Sequence, residues 1–249
     1  MPEPHPYRPC TVPTLSKLLP QSQYAQPDRE ADQEQLRKRR KYACLESHSR
    51  PKLHPMEKAP GKTYLTALQT AKSLFATRGY ETVTTAEICE AAGISNGSLF
   101  HHFRNKEGIA VAVFKSLVRT YQADIAAALD KTNTAEAGLK AFITAHTAWI
   151  ERDPDGARIL FNAQHPKWSK AALADIRTEN QAFGKHFAEW RHRIKDGSRI
   201  REQSLALVLA VLVGPTQMLS RAWLAGQSST PPSAQAEKLG RLAVKALLD

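Results

Sequence analysis

The sequence predicts an all-α chain, and three observations carry that expectation. From Lys62 onward apolar residues recur at three- and four-residue steps, the spacing of one helix face. Helix start and stop signals punctuate the same region. No segment shows the strict alternation of a half-buried strand, and no internal repeat is visible. The expected organisation is a disordered extension over 1–60, a three-helix helix-turn-helix domain over 61–121 and a further helical domain over 122–249.

The first helix opens at Lys62. Leu65, Leu68, Ala71 and Phe75 form its apolar stripe with Lys72 on the edge, and Gly79 ends it at a C′ position. Thr84-Thr85-Ala86-Glu87 reads as a capping box, in which Thr84 caps the helix and Glu87 reaches back. That helix covers 85–92, with Ile88 and Ala91 inward, and Gly93 stops it. Ser95 caps the next helix, on which Leu99 and Phe103 share an inner face at i,i+4. Asn105 caps a longer helix to about residue 129.

The second half continues in the same style. Thr134 starts a helix carrying Leu139, Phe142, Ile143, His146 and Trp149. Asp153-Pro154 is a cap followed by proline at the first helical position. Helices over 168–194 and 201–224 follow, and Thr230-Pro231 opens the last one, which ends in Leu242, Val244, Leu247 and Leu248.

The bulk composition narrows the class of function. The chain has 249 residues, 42% of them hydrophobic, which suffices for a core. Its formal net charge of +11 favours a polyanionic partner. The three cysteines, Cys10, Cys44 and Cys89, are far apart and odd in number, so they form neither a disulfide framework nor a metal pair. A reducing, cytoplasmic compartment is expected, with the chain at the nucleoid. No stretch is expected to span a bilayer: the nearest, 205–215, runs into Gln217, Ser220 and Arg221.

Residues 1–60 are rich in Pro, Gln, Ser and Arg and have no sustained period, so they are expected to be disordered. The basic run at 37–41 is read as solvated charge, with an arm touching phosphates as the competing reading. The residues before Met56 are expected to be dispensable for fold and DNA binding, with Met56 as a natural start.

Two short helices joined by a turn with Gly93 make a helix-turn-helix, a unit that sends its second helix into the DNA major groove. Leu99 and Phe103 anchor that helix from behind, which leaves Asn96, Gly97 and Ser98 at its exposed N-terminal end. Asn pairs bidentately with adenine, Ser donates or accepts, and Gly97 lets the backbone come close. His101 and His102 flank the buried stripe and face phosphates or the groove. The competing readings are solvated histidines with no role and a metal site, for which no third ligand stands at the right spacing. Cys89 is read as core filler rather than a redox sensor, because no resolving cysteine is apparent.

Phe75, Gly79-Tyr80, Thr84-Thr85, Ile88, the run 91–95, Gly97, the run 99–103 and Lys106-Glu107 together resemble the N-terminal signature of TetR/AcrR-family transcriptional regulators. The resemblance implies a homodimer, a palindromic double-stranded DNA operator and a small-molecule effector that releases DNA. It implies that Thr84 and Thr85 lie at the DNA-facing start of the second helix, with Thr85 on a phosphate or base. It puts Asn96, Gly97 and Ser98 at the base-reading positions, and His101 and His102 facing DNA. Lys106 takes the place of a phosphate-gripping lysine. Phe100 stands where Tyr is usual, so a hydroxyl contact is lost and ring packing remains.

Further along, the resemblance implies an effector pocket among the later helices, with Phe142, His146, Trp149, Phe161, His165 and Phe183 as the expected lining, since small-molecule pockets are mostly apolar with a few placed polar groups; core packing is the competing reading of these aromatics. Leu205, Leu209, Leu212 and Leu219, with Leu239, Leu242 and Ala246, form stripes that suit a dimer face or a monomer core equally by spacing, and the resemblance implies the dimer. The function expected is that of a ligand-responsive transcriptional regulator acting as a repressor. Two other classes stay open, an adaptor that binds a protein through its aromatic C-terminal face and an enzyme sited in the C-terminal helices. Against the enzyme, the sequence shows no nucleophile elbow, paired carboxylates, metal cluster, cofactor motif or phosphate-cradling glycine loop.

Overall fold

The computed structural model describes residues 61–161 and 166–248, with the backbone alone for 166–175 and 201. The readings made for 1–60 and for His165 lie outside the described residues. Ten α-helices are described: α1 (Lys62–Arg78), α2 (Thr85–Ala92), α3 (Asn96–Phe103), α4 (Lys106–Asp130), α5 (Ala135–Arg152), α6 (Pro154–Phe161), α7 (Pro166–Arg193), α8 (Ser198–Arg201), α9 (Leu205–Leu224) and α10 (Ala236–Leu248), with a 3-10 turn at Pro232–Gln235 before the last. No strand occurs among the described residues.

The predicted caps hold in geometry. The Thr84 hydroxyl accepts from Glu87 N and the Glu87 carboxylate accepts from Thr84 N, which closes the capping box. Gly93 sits in the left-handed region at φ 65, ψ 36, a conformation that favours glycine. Ser95, Asn105, Thr134 and Ser204 each accept from an N–H in the first turn of the helix they open.

Helix α4, 25 residues long, organises the rest. At 1.5 Å per residue it runs about 38 Å. Its first half buries Ile109, Val113, Phe114 and Leu117 in one continuous core with Ala67, Ala71 and Phe75 of α1, Ile88 of α2, and Leu99 and Phe103 of α3. The same core takes in Trp149 and Ile150 of α5 and Ala157 of α6. Its second half buries Ile125 and Leu129 and packs on α5 and α7. Residue 121, the boundary expected between two domains, lies inside this helix. Helix α5 also lies against α10, and α9 packs on both.

Asp153, between α5 and α6, ties two parts of the fold together. Its carboxylate takes both oxygens to Lys72 Nζ of α1, at 2.8 and 2.9 Å, and Oδ1 also accepts from Gly156 N at 3.0 Å to cap α6. Lys72 is therefore a half-buried ion-pair partner rather than a solvated edge residue.

Several expectations need correction. Leu65 is 49% exposed, because the inner face of α1 runs through Ala67, Ala71 and Phe75 instead. On α2, Ala91 is exposed and Cys89 is buried beside Ile88. The helix expected over 201–224 begins at Leu205, where Ser204 caps it by accepting from Leu207 N. Leu209 and Leu212 are buried within the subunit, so they are not free for a dimer face. The last helix opens at Ala236 after the 3-10 turn, and its Leu242 is exposed.

Helix α9 also corrects the bilayer reading. With 20 residues and a mean hydropathy of 1.5, it is long and apolar enough to cross a membrane by length and composition. In the fold it packs on protein. Thr216 and Ser220 are buried with their hydroxyls donating to the carbonyls of Leu212 and Thr216, and Arg221 donates to the Phe161 carbonyl at 2.6 Å.

The double role of Asp153 gives a test by urea unfolding. Asp153→Ala removes cap and ion pair together and is expected to lower stability by roughly 2–4 kcal/mol. Asp153→Asn keeps a capping oxygen and should lose about half of that. Equal losses in the two variants would show that the cap contributes nothing.

Candidate nucleic-acid interface

The turn between α2 and α3 builds one exposed helix end. Leu99 and Phe103 are buried, and Phe103 stacks on Tyr64 of α1 with ring centroids 4.9 Å apart. This fixes the rotation of α3 about its axis. Asn96, Gly97, Phe100, His101 and His102 then face solvent, and Ser98 is half-buried. No acidic residue lies within α3, so the face carries nothing that would repel phosphate.

Asn96 is not a free side chain. The buried Cys89 thiol donates to Asn96 Oδ1 at 3.2 Å, which holds the amide plane and turns its NH2 outward. Burial pushes the Cys89 thiol up, so it stays protonated and remains a donor. Sequence reading treated Cys89 as filler, and the contact across the turn could not be read from spacing alone.

The remaining expected contacts divide clearly. The Thr84 hydroxyl is engaged on both sides, accepting from Glu87 N and donating to Glu87 Oε2 at 2.8 Å, so this side chain serves the cap. Thr85 is half-buried at the first position of α2, where first-turn N–H groups have no intrahelical partner and favour anions. The Thr84 N–H, the Arg78 guanidinium and the Thr84 hydroxyl hold the Glu87 carboxylate at about 2, well below the usual range. Lys106 Nζ lies 4.4 Å over the Tyr80 ring and donates to the Glu81 carbonyl at 3.2 Å. An ammonium has three donors, so two remain for a phosphate. Phe100 is 42% exposed and presents a bare ring. His101 and His102 meet edge to face at 5.3 Å, and His102 also stands 5.8 Å from Tyr64.

One residue at this surface escaped sequence reading. Arg104, exposed at the end of α3, has φ 62. A non-glycine residue in that region is strained. The tight α3–α4 junction explains why it is tolerated there. A Cβ on Gly108 would stand 2.0 Å from the Phe103 carbonyl oxygen, so only glycine lets α4 start so close behind α3.

A second constellation lies deeper in the fold. His146 of α5 is 1% exposed. Its ring centroid is 5.5 Å from Tyr121 and 6.5 Å from both Phe142 and Phe161, and Tyr121 stands 5.3 Å from Trp149. Tyr121 Oη and His146 Nδ1 are 2.9 Å apart, and the buried His146 Nε2 has no hydrogen-bond partner among the described residues. Burial lowers His146 to about 4, so its ring is neutral near neutral pH, and burial also raises the Tyr121 hydroxyl. Four of the expected effector residues therefore gather here. Phe183 packs instead with Phe187, 6.4 Å away, in a cluster continued by Trp190. Among the described residues, no three His, Cys, Asp or Glu side chains could hold a metal ion.

Comparison with known proteins bears on this geometry. Residues 67–113 match the model of the bacterial regulatory proteins of the tetR family. The transcriptional repressor KstR2 of Rhodococcus jostii is 39% identical over 74 residues, covering 28% of this chain and 36% of the relative. The transcriptional activator FasR of Mycolicibacterium smegmatis is 32% identical over 91 residues, covering 36% and 42%. The chain thus spans well under half the length of these curated relatives. Likeness of fold reaches further. The fatty acid degradation regulator FadR from Bacillus halodurans superposes with a TM-score of 0.64 at 18% identity, covering 76% of this chain and 98% of that one. FadR from Bacillus subtilis, solved in complex with stearoyl-CoA, superposes at 0.59 and 18%, covering 73% and 97%.

The buried histidine makes stability depend on pH. His146 falls from 6.5 to about 4 on folding, so between those values the unfolded chain binds a proton that the folded one refuses. Stability should fall as the pH drops through this window, by up to about 1.4 kcal/mol per pH unit from this group. The free-energy difference between wild type and His146→Gln, measured by denaturant unfolding, should shrink across the same window. A constant difference would show that His146 takes up its proton normally in the fold.

Proposed function

We propose that this chain, whose residues 67–113 match the tetR family of bacterial regulatory proteins, is a ligand-responsive transcriptional regulator of that kind that binds a palindromic operator as a homodimer. The observation that carries this reading is the presentation of α3. Its apolar side is locked by Leu99 and Phe103, while Asn96, Gly97 and Ser98 stand at its exposed start. The N-terminal residues of such a helix reach base edges in the major groove. Phosphates fall to the first-turn N–H groups of α2, to Lys106 and to Arg104, with Phe100, His101 and His102 against the groove wall. Repression is the proposed mode, as in the relative named a repressor. The site of action is the cytoplasm, on DNA.

Asn96 refines base reading. Its Oδ1 already accepts from Cys89, so the outward NH2 is the group that probes the base. A purine N7 or a guanine O6 is then the matching partner, and adenine remains readable through the second lone pair of Oδ1.

The dimer face lies on the outer sides of α9 and α10. Leu207, Val211, Gly214 and Met218 follow a helix stripe, and Leu207 and Met218 are exposed, the latter at 59%. Leu239, Leu242 and Ala246 make the corresponding stripe on α10, with Leu242 at 56%. Exposed leucines and methionine on neighbouring helices suit a four-helix bundle with a second copy. The effector seat is the ring cluster around His146, joined to the DNA-binding helices by the α4 and α6 core. An effector acts by favouring a conformation that does not fit the operator, and only to the extent of its differential affinity.

Binding to upstream DNA, read by fluorescence anisotropy across a salt series, tests the reading. Lys106→Ala should weaken all sequences alike and lower the salt slope by about one unit for each phosphate contact removed. Asn96→Ala should relax preference at one position per half-site by roughly 1–3 kcal/mol, and Cys89→Ala should relax the same position by less. Loss of preference at a different base in Cys89→Ala would separate the two residues. By sedimentation, Met218→Glu should yield monomers that remain folded. A dimer that survives that substitution places the interface elsewhere.

A further inference from the structure

The environment of His146 specifies more than an apolar pocket, and the inference here rests on the effector reading above. His146 Nδ1 lies 2.9 Å from Tyr121 Oη, while the buried His146 Nε2 has no partner among the described residues. The hydrogens on this pair can be arranged in two ways. If the ring carries its hydrogen on Nδ1, it donates to the tyrosine oxygen. The phenol proton then has no acceptor and Nε2 has no donor, which leaves two groups unsatisfied. If the tyrosine donates to Nδ1, the ring hydrogen sits on Nε2, and a single N–H is left over. Buried polar groups are paired wherever the fold allows it, so the second arrangement prevails. Tyr121 thereby sets the tautomer of His146.

The leftover group is an N–H donor inside a ring of aromatic side chains. A donor buried without water or an acceptor is a penalty that a bound molecule can remove. We propose that His146 Nε2–H is the recognition donor for a carbonyl oxygen, of a ketone, ester or amide, on an otherwise apolar ligand held among Tyr121, Phe142, Trp149 and Phe161. The imidazole is neutral, so it offers a hydrogen bond and no charge. A carboxylate would bring a charge into this cluster, and the described guanidinium over it, Arg221, 5.9 Å from the Phe161 centroid, already donates to the Phe161 carbonyl. The site therefore prefers the neutral carbonyl to the anion. It also prefers it to the hydrocarbon, which leaves Nε2–H unpaired.

The test uses the full chain and three probes of one skeleton, namely benzophenone, diphenylmethane and diphenylacetate, with titration calorimetry as the readout. Benzophenone is expected to bind roughly tenfold more tightly than diphenylmethane, the worth of one hydrogen bond to a buried donor. Diphenylacetate is expected to bind more weakly than benzophenone. His146→Phe should bring benzophenone and diphenylmethane to within about twofold of each other. Tyr121→Phe should reduce the preference as well, because Nδ1 loses the proton that sets the tautomer, and a merely structural role for the phenol would not change selectivity. Nitrogen NMR of labelled histidine reads the tautomer without any ligand, and Nε2 is expected to carry the proton in the wild type. Equal binding of ketone and hydrocarbon, preference for the carboxylate, no detectable binding of benzophenone, or a wild-type Nδ1–H tautomer would each overturn the proposal. If benzophenone binds with the expected selectivity and operator affinity does not change, the recognition assignment stands and the regulatory reading of the site fails.

Discussion

The structure depends on one constraint: α4 must bury both of its halves. Its first half completes the core under the helix-turn-helix, and its second half is the floor on which α5 and α7 pack. Ile109, Val113, Phe114 and Leu117 share one core with Phe103 on one side and with Trp149 and Ala157 on the other. A close-packed interior transmits displacement, because few side chains can move without opening a void. The Lys72–Asp153 ion pair adds a polar link in parallel, between α1 and the start of α6. Asp153 cannot serve α1 and cap α6 at once unless the two keep their present distance.

The DNA-facing end gains its order from similar economies of geometry. Three consecutive turns are closed by side chains or glycines suited to them: Thr84 with Glu87, Gly93 in the left-handed region, and Ser95 over α3. Gly108 permits α4 to begin against the Phe103 carbonyl, and that closeness is matched by strain at Arg104. The strained residue is a surface arginine at the proposed interface, where backbone strain is often found. Cys89 and Asn96 face each other across the turn, so the same packing that stabilises the unit also orients the amide to which the proposed function gives a base.

The interior of the second half shows the opposite economy. Thr147, Thr216 and Ser220 are buried and satisfied by carbonyls of their own helices. Trp190 gives its indole N–H to Thr132 and fills the space that Gly138 leaves, where a Cβ would come 1.9 Å from its ring. Beside these satisfied hydroxyls and this indole, the buried Nε2 of His146 has no hydrogen-bond partner among the described residues.

Much of the fold was legible in the chain itself. Caps and stops are local chemistry, so Thr84, Glu87, Gly93, Ser95, Asn105, Thr134 and Asp153 announced the helix ends, and Leu99 with Phe103 announced the inner face of α3. Those residues belong to the stretch that resembles the family, and they bring Asn96, Gly97 and Ser98 to one exposed helix end. What periodicity could not tell was which of several apolar residues on a helix faces the subunit core. Leu65 and Ala91 lost that position to Ala67 and Cys89, and Leu209 and Leu212 were taken by the subunit itself, which left Leu207 and Met218 outside. Spacing defines a stripe, but the partner helix chooses its angle. The contacts that matter most for specificity were also invisible. Cys89 meets Asn96, Lys72 meets Asp153, and Tyr121 meets His146 only because the helices that carry them are packed together. A hydrogen bond between residues far apart in sequence leaves no local pattern. Tertiary packing alone determined which amide is oriented, which lysine is paired and which imidazole nitrogen is left without a partner.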